Sequence, residues 1–206
     1  MTRFSKIFAL TIALLFVAVL TSCSPNADKT SESQKAKELF DQAFTIMVNS
    51  KPSEQSVEDQ KKVFDLMQQS AELGNAEAYV YMADFYLRGK GVEKDSTKAI
   101  ELLKKAADMD CPGGYAMLAK CYEDGEVVEK NVTEAERCRA KAFELLKKEA
   151  EHGDVEAQIN LGFIYTEGNG VDKDLGEAEK WFRKAAEQGY EPAKEVLKQL
   201  GKWNED

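Results

Sequence analysis

Hydrophobic residues recur along most of the chain at the three- and four-residue intervals of an amphipathic helix. The first stretch with this spacing covers residues 34–48, where five apolar side chains fall on one face: Leu39, Phe40, Ala43, Phe44 and Met47. A second stretch covers residues 57–72, and the polar loop between the two contains Pro52. This pattern predicts a first pair of antiparallel helices within residues 34–74.

The helical pattern then becomes a repeat. Four residues that close a helix recur with an alanine first and a glycine last: Ala71–Gly74, Ala150–Gly153 and Ala186–Gly189. The last two copies begin 36 residues apart, a period typical of an array of helix pairs. The sequence predicts three repeats within residues 75–189. It also predicts a short capping helix and tail at residues 190–206, with Pro192 in the first turn.

The middle repeat is longer than its neighbours. Its closing alanine, Ala150, lies 43 residues after Ala107, whereas Ala186 lies 36 residues after Ala150. Residues 142–150 match residues 99–107 almost letter for letter, which places the seven extra residues inside the second helix of the pair. Because seven residues make nearly two turns at about 3.6 residues per turn, the longer helix keeps the same face inward.

Residues at the predicted helix ends support this division. Asp95, Asn131 and Asp174 are good N-caps, and Glu134 and Glu177 follow two of them at the spacing of a capping box. The middle repeat departs from the pattern at Val127, where a loop glycine is expected, so we predict a different backbone path there. Cys111–Gly114 replaces the usual start of the first helix, and we expect that helix to begin one turn late.

The spaced pattern Ala-x3-Leu-Gly-x-x-Tyr-x-x-Gly-x-Gly-Val-x-x-Asp-x-x-x-Ala, closed by Ala-Ala-x-x-Gly, resembles Sel1-like repeats over about residues 71–189. The resemblance implies an all-α, right-handed superhelical solenoid of antiparallel helix pairs, like that of the related tetratricopeptide repeats. In that arrangement the first helix of each pair lines a concave groove. The implied groove residues are Val80, Asp84, Leu87, Ala116, Lys120, Glu123, Ile159, Phe163 and Thr166.

Phe163 is the most informative of these groove residues. It stands between positions that the repeat uses for its core. If exposed, it would be an aromatic anchor of the kind that dominates interfaces. The alternative is that Phe163 packs against the neighbouring helix pair.

The N-terminal segment is typical of an export signal. Arg3 and Lys6 precede an apolar run at residues 7–20, which is about 21 Å long as a helix and shorter than a hydrocarbon core of roughly 30 Å. The run ends in Leu20-Thr21-Ser22-Cys23, which resembles the lipobox of bacterial lipoproteins. The resemblance implies cleavage of the signal peptide at residues 1–22 and lipidation of Cys23. Residues 23–33 are expected to be a flexible tether. The alternative is an uncleaved anchor with an incidental cysteine.

Charge and side-chain chemistry exclude several function classes. The chain has a net charge of −9, which disfavours nucleic-acid binding because that binding relies on Lys and Arg. The single histidine, His152, falls at a helix end, and no Ser-x-x-Lys or Gly-x-Ser-x-Gly motif is present. Gly89 and Gly91 lack the lysine pattern of a phosphate loop. We therefore predict a protein that is not an enzyme and that uses no metal or cofactor.

Three cysteines follow Cys23 in a chain that is expected to reach an oxidising compartment. If Cys111 and Cys121 lie on one helix, they are about 15 Å apart, beyond the roughly 7 Å limit for a disulfide. Cys121 and Cys138 fall on paired helices, at positions that core residues hold in the other repeats. A Cys121–Cys138 disulfide is our preferred hypothesis, and two buried thiols are the alternative.

Four functions are considered. The favoured one is a monomeric, non-catalytic scaffold that binds a protein or peptide. It is expected to be anchored in the bacterial cell envelope, in the outer membrane, and to face the periplasm. The outer membrane is expected because Ser24, and not an aspartate, follows Cys23. The second function is an inhibitor or immunity protein for a toxin or enzyme. The third, an enzyme, lacks a nucleophile with a base, and peptidoglycan binding without catalysis also stays open.

Overall fold

The computed structural model describes residues 31–49 and 56–202. Across these two ranges the chain folds into helices joined by turns, with no strand. The nine helices of this part are α1 (Ser31–Asn49), α2 (Val57–Glu72), α3 (Ala76–Arg88), α4 (Ser96–Asp108), α5 (Pro112–Asp124), α6 (Val132–Glu151), α7 (Val155–Glu167), α8 (Leu175–Glu187) and α9 (Glu191–Gln199). The predicted all-α class is confirmed.

Consecutive helices pack against each other along the chain. α2 packs on α1 and α4 on α3, and farther on α8 packs on α7 and α9 on α8. Among the described residues, those up to Cys138 form one compact unit, and those from Arg139 onward form another. The predicted signal peptide and Cys23 lie outside the described residues. Of the predicted tether, residues 31–33 are described, and they form the first turn of α1.

Short polar side chains begin most of the helices. The carboxylate of Asp95 accepts a hydrogen bond from the Lys98 amide, 3.0 Å away, and the side chain of Asn131 accepts one from the Glu134 amide, 3.1 Å away. Asp174 does the same for the amide of Glu177. These bonds satisfy amides that have no partner within the helix, so the predicted N-caps are confirmed.

Two expectations about the middle repeat meet different outcomes. Val127 does not adopt a positive φ, whereas Gly91 and Gly170 do, so its turn follows a different backbone path, as predicted. The expected delay of the first helix of this repeat is wrong, because α5 begins at Pro112. A proline in the first turn lacks an amide that would need a partner and has its φ preset for a helix, so it starts the helix without delay.

Close packing fixes the helix pairs at positions of small residues. A Cβ atom added to Gly162 would lie 2.6 Å from the ring of Phe182, and one added to Gly114 would lie 2.8 Å from the Cβ of Ala106. Neither position has room for a side chain without movement of a neighbour. The helices are therefore as close as their backbones allow, and this sets which side chains are left at the surface.

Candidate binding surface

Three of the predicted groove residues are part of the core. Val80 is 0% exposed, Ile159 6% and Phe163 7%. None of them can be reached by a partner without a change in the fold. Their assignment to an exposed groove is therefore corrected.

Phe163 shows why the assignment failed. Its ring meets that of Phe182 edge to face, with the centroids 5.1 Å apart. Both rings belong to a cluster that also contains Ala193 and Leu197 of α9. Because its ring packs on Phe182 inside this cluster, Phe163 is a packing residue, as in the alternative considered from the sequence.

Five other predicted residues remain accessible, and they lie on two helices. Asp84 and Leu87 of α3 are partly exposed, as is Ala116 of α5, and Lys120 and Glu123 of α5 are exposed. α3 also packs directly on α5. We name these five residues the first-helix face.

The packing around the first-helix face joins two first helices. α3 packs directly on α5, so the accessible residues of these two helices lie on neighbouring elements of one compact unit. In arrays of helix pairs the first helices line the concave side, and the first-helix face is assigned to that side from the repeat architecture.

Asp84 is the electrostatic centre of the first-helix face. Its Oδ1 atom lies 2.5 Å from Nε of Arg88, and its Oδ2 atom lies 4.0 Å from Nζ of Lys90. The Asp84 side chain is 13% exposed and that of Arg88 is 48% exposed. A charged group of a partner would therefore contact Arg88 before Asp84. A cationic group could then replace Arg88 as the ion-pair partner of the Asp84 carboxylate.

Thr166, the remaining predicted groove residue, is partly exposed and belongs to the other compact unit. Its hydroxyl donates a hydrogen bond to the carbonyl oxygen of Gly162, 2.7 Å away, so its polar group is used within α7. Next to it, burial raises the pKa of the Glu167 carboxyl. Neither residue shares a compact unit with the first-helix face.

The predicted disulfide is not formed. Cys121 and Cys138 are both free and buried, and burial is the main cause that raises the pKa of each thiol. This corrects the pairing that we favoured and matches the alternative of two buried thiols. A buried thiol behaves as a small apolar side chain, so each sulfur fills space without a bond.

His152 is exposed, and its Nδ1 atom lies 2.6 Å from the carbonyl oxygen of Lys148. Among the described residues, no group of three or more His, Cys, Asp or Glu side chains is placed to hold a metal ion. Within the same residues, no helix combines the length and the apolar character needed to cross a membrane.

Sequence reasoning passed over one residue with unusual chemistry. Glu149 has a pKa raised to about 8, mainly by burial and then by the nearby charge of Asp154. A signal for it exists in the repeat, because the equivalent position holds Ser70, Ala106 and Ala185 in the other second helices. The sequence therefore shows a glutamate at a position where the other second helices have a small residue.

Comparison with known families identifies the repeat. A family model of the Sel1 repeat matches residues 76–111, 112–154 and 155–190, and the three matches follow each other without a gap. The chain belongs to the Sel1 repeat family. Sel1 repeats form a scaffold suited to protein–protein interaction and are generally non-catalytic.

Several solved structures are similar to this Sel1 repeat protein. A protective antigen present in uropathogenic Escherichia coli strains is 28% identical, with 81% of this chain and 33% of that chain covered and a TM-score of 0.46. A Sel1 repeat protein from Oxalobacter formigenes is 22% identical over 95% and 74% of the two chains, with a TM-score of 0.48. An immunity protein from Pseudomonas aeruginosa is 18% identical over 85% and 72%, with a TM-score of 0.44.

This chain thus spans about a third of the length of the Escherichia coli antigen. No curated protein sequence matches it.

Proposed function

We propose that this Sel1 repeat protein is a non-catalytic scaffold that binds a protein or peptide on the first-helix face, while a lipid on Cys23 anchors it in the bacterial envelope, on the periplasmic side of the outer membrane. One observation carries the binding part. α3 and α5 pack side by side and leave an accessible mixture of apolar and charged side chains on these two first helices. This mixture matches the composition of protein interfaces, which have an apolar centre surrounded by a charged rim.

The residues of this face define the partner segment that fits. Leu87 offers a half-buried apolar surface, with Asp84 one turn before it and Arg88 directly after it on the same helix. A segment with an apolar side chain over Leu87 and a charged group near Arg88 would complement both. Because exposed ion pairs contribute only about 0–1 kcal/mol, the contact at Leu87 should supply most of the affinity.

Affinity capture from the native envelope, with the full chain as bait, tests the binding site. Leu87→Asp should reduce recovery of the bound protein at least about tenfold, because it places a charge in the apolar centre of the contact. Val132→Asp is the matched control, since Val132 is 55% exposed, begins the second helix α6 and lies in the same compact unit. Equal recovery by both variants would contradict the assigned face.

The lipid anchor needs a separate test, because its support is the sequence Leu20-Thr21-Ser22-Cys23. Cells fed a clickable palmitate analogue should label the protein, and Cys23→Ala should lose both the label and its place in the membrane fraction. Ser24→Ala is the control that should keep both. Label retained by Cys23→Ala would contradict lipidation at this residue.

An inhibitor or immunity protein is the second candidate, favoured by the net charge of −9, which suits a basic target. Capture of one basic protein, with affinity that falls steeply as salt is added, would select it over a general scaffold. Retention of glycan fragments in place of any protein would instead favour a peptidoglycan-associated protein.

A further inference from the structure

The turn between α6 and α7 differs in one residue from the other turns that follow a second helix. The residue before the closing alanine is Ser70, Ala106 or Ala185 elsewhere, and all three are buried. Here it is Glu149, a residue with an ionisable side chain. The departure is local, because the closing alanine and the turn glycine that follow it are kept.

Hydrogen bonds hold Glu149 inside this corner. Its carbonyl oxygen accepts from the His152 amide at 3.0 Å and from the Asp154 amide at 3.1 Å. The Asp154 carboxylate in turn accepts from the Ala157 amide at 2.7 Å and so starts α7. The backbone of Glu149 is therefore part of the turn itself, bonded to the residue that caps α7.

The Glu149 carboxyl group itself is poorly placed to be charged. Its Oε2 atom is shielded from solvent and has no hydrogen-bond partner within the described part of the chain. Two charged groups act on it: Asp154 across the turn, and Lys148 on its own helix. Glu151 and Glu156, which flank the turn, are exposed. Burial, and then Asp154, oppose ionisation, and Lys148 only partly offsets them.

We propose that the α6–α7 corner is a pH-sensitive joint, that is, a turn whose local opening depends on pH. The closed turn is most stable in mild acid, and ionisation of Glu149 favours its opening toward alkaline pH. The proposal goes beyond the binding function and does not depend on it. It stands on the shielded carboxyl oxygen, on the like charge of Asp154 that caps α7, and on the small residues that fill this position in the other turns.

The direction of the effect follows from proton binding. In the closed corner the pKa of Glu149 is about 8, against an ordinary value of 4.5 for an exposed carboxyl. Between these two values, opening the corner releases a proton, so each rise of one pH unit favours opening by up to about tenfold. The contribution of Glu149 to the stability of the closed corner is therefore complete below pH 4.5. It falls between pH 4.5 and about pH 8 and stays constant above about pH 8.

Hydrogen exchange of the full chain tests the joint through the amides of Ala157 and Gln158, in the first turn of α7. After correction for base-catalysed exchange, protection in the natural protein should fall about fiftyfold from pH 6 to pH 8 and level off above that range. Glu149→Gln should show no such fall, and Glu149→Ala gives the same test with the residue that positions 106 and 185 already hold. The Ala193 amide, bonded to the Tyr190 carbonyl at 3.1 Å in the next turn, is the control.

A carbon-13 titration of the Glu149 carboxyl provides a second measurement that does not rely on a variant. A midpoint near 8, with the loss of protection in the same range, supports the joint. A midpoint near 4.5, or protection that changes equally in the natural protein and in both variants, would overturn it.

Discussion

The first and third Sel1 repeats place different chemistry at the same position of their first helices. In the first repeat the position is Asp84, whose side chain is 13% exposed and paired with Arg88. In the third repeat it is Phe163, which is 7% exposed and packed on Phe182. One position of the repeat thus belongs to the surface in one copy and to the core in another.

The helix that follows each repeat explains this difference. α5 follows the first repeat and packs on α3 while Asp84 keeps contact with solvent. The third repeat is followed by α9, whose Ala193 and Leu197 join the cluster that contains Phe163. α9 thus buries apolar surface of the third repeat, as a following repeat does inside an array. We infer that the third repeat uses this position for capping and the first keeps it for binding.

The largest effect is expected from a charge at the core position. Phe163→Glu should cost at least about 4 kcal/mol, because it removes a buried ring and buries a carboxylate without a partner. Thermal unfolding followed by circular dichroism measures the loss. Asp84→Asn, at the equivalent position, should cost less than about 1 kcal/mol, since it removes one partly exposed ion pair. Similar losses in the two variants would show that the positions do not differ.

A smaller effect is expected where the two repeats differ in the packing of a small residue. Gly162 and Phe182 in the third repeat occupy the positions of Ala83 and Leu103 in the first. A Cβ atom at Gly162 would lie 2.6 Å from the Phe182 ring, so Gly162→Ala should cost about 1–3 kcal/mol.

A double variant sharpens this test. Adding Phe182→Leu to Gly162→Ala recreates the pair of the first repeat and should recover much of the loss, because the smaller side chain makes room for the methyl group. Urea unfolding of the two single variants and the double variant measures the coupling. Strict additivity of the two changes would contradict the size match.

The smallest effect concerns the turns that end the two repeats. Asp110 has a φ of 55°, in the left-handed region, where the third repeat has Gly189 with a φ of 89°. Asp110→Gly should therefore stabilise the protein by about 0.5 kcal/mol, since relief of strain is partly offset by a more flexible unfolded chain. Lys104→Gly, at an exposed position inside α4, should instead cost about 1 kcal/mol. Denaturant midpoints that move in the same direction would contradict the assigned strain.

The regular part of the fold follows from local features of the sequence. The spacing of apolar residues gives the helix pairs, and the side chains of Asp95, Asn131 and Asp174 start helices as expected. These features act within one or two turns, so they can be read along the chain. The same holds for Val127, which avoids the left-handed conformation of its glycine counterparts.

The candidate surface depends on contacts between distant segments, and there the sequence was a weaker guide. Phe163 is buried against Phe182 of α8 in a cluster that extends to α9, and periodicity within α7 does not reveal these contacts. The prediction of a Cys121–Cys138 disulfide was wrong for a similar reason. Positions on paired helices indicate that two residues are near each other, but they do not require a bond between them. Glu149 was visible as a departure, but its raised pKa depends on burial in the folded corner.

Hydrogen-exchange footprinting of the full chain, with and without its captured partner, tests the central claim most directly. The account predicts that the partner protects peptides from residues 80–88 and 116–124, where the first-helix face lies, and leaves residues 159–166 unchanged. Protection confined to residues 159–166, with none on α3 or α5, would contradict the assignment of binding to the first-helix face.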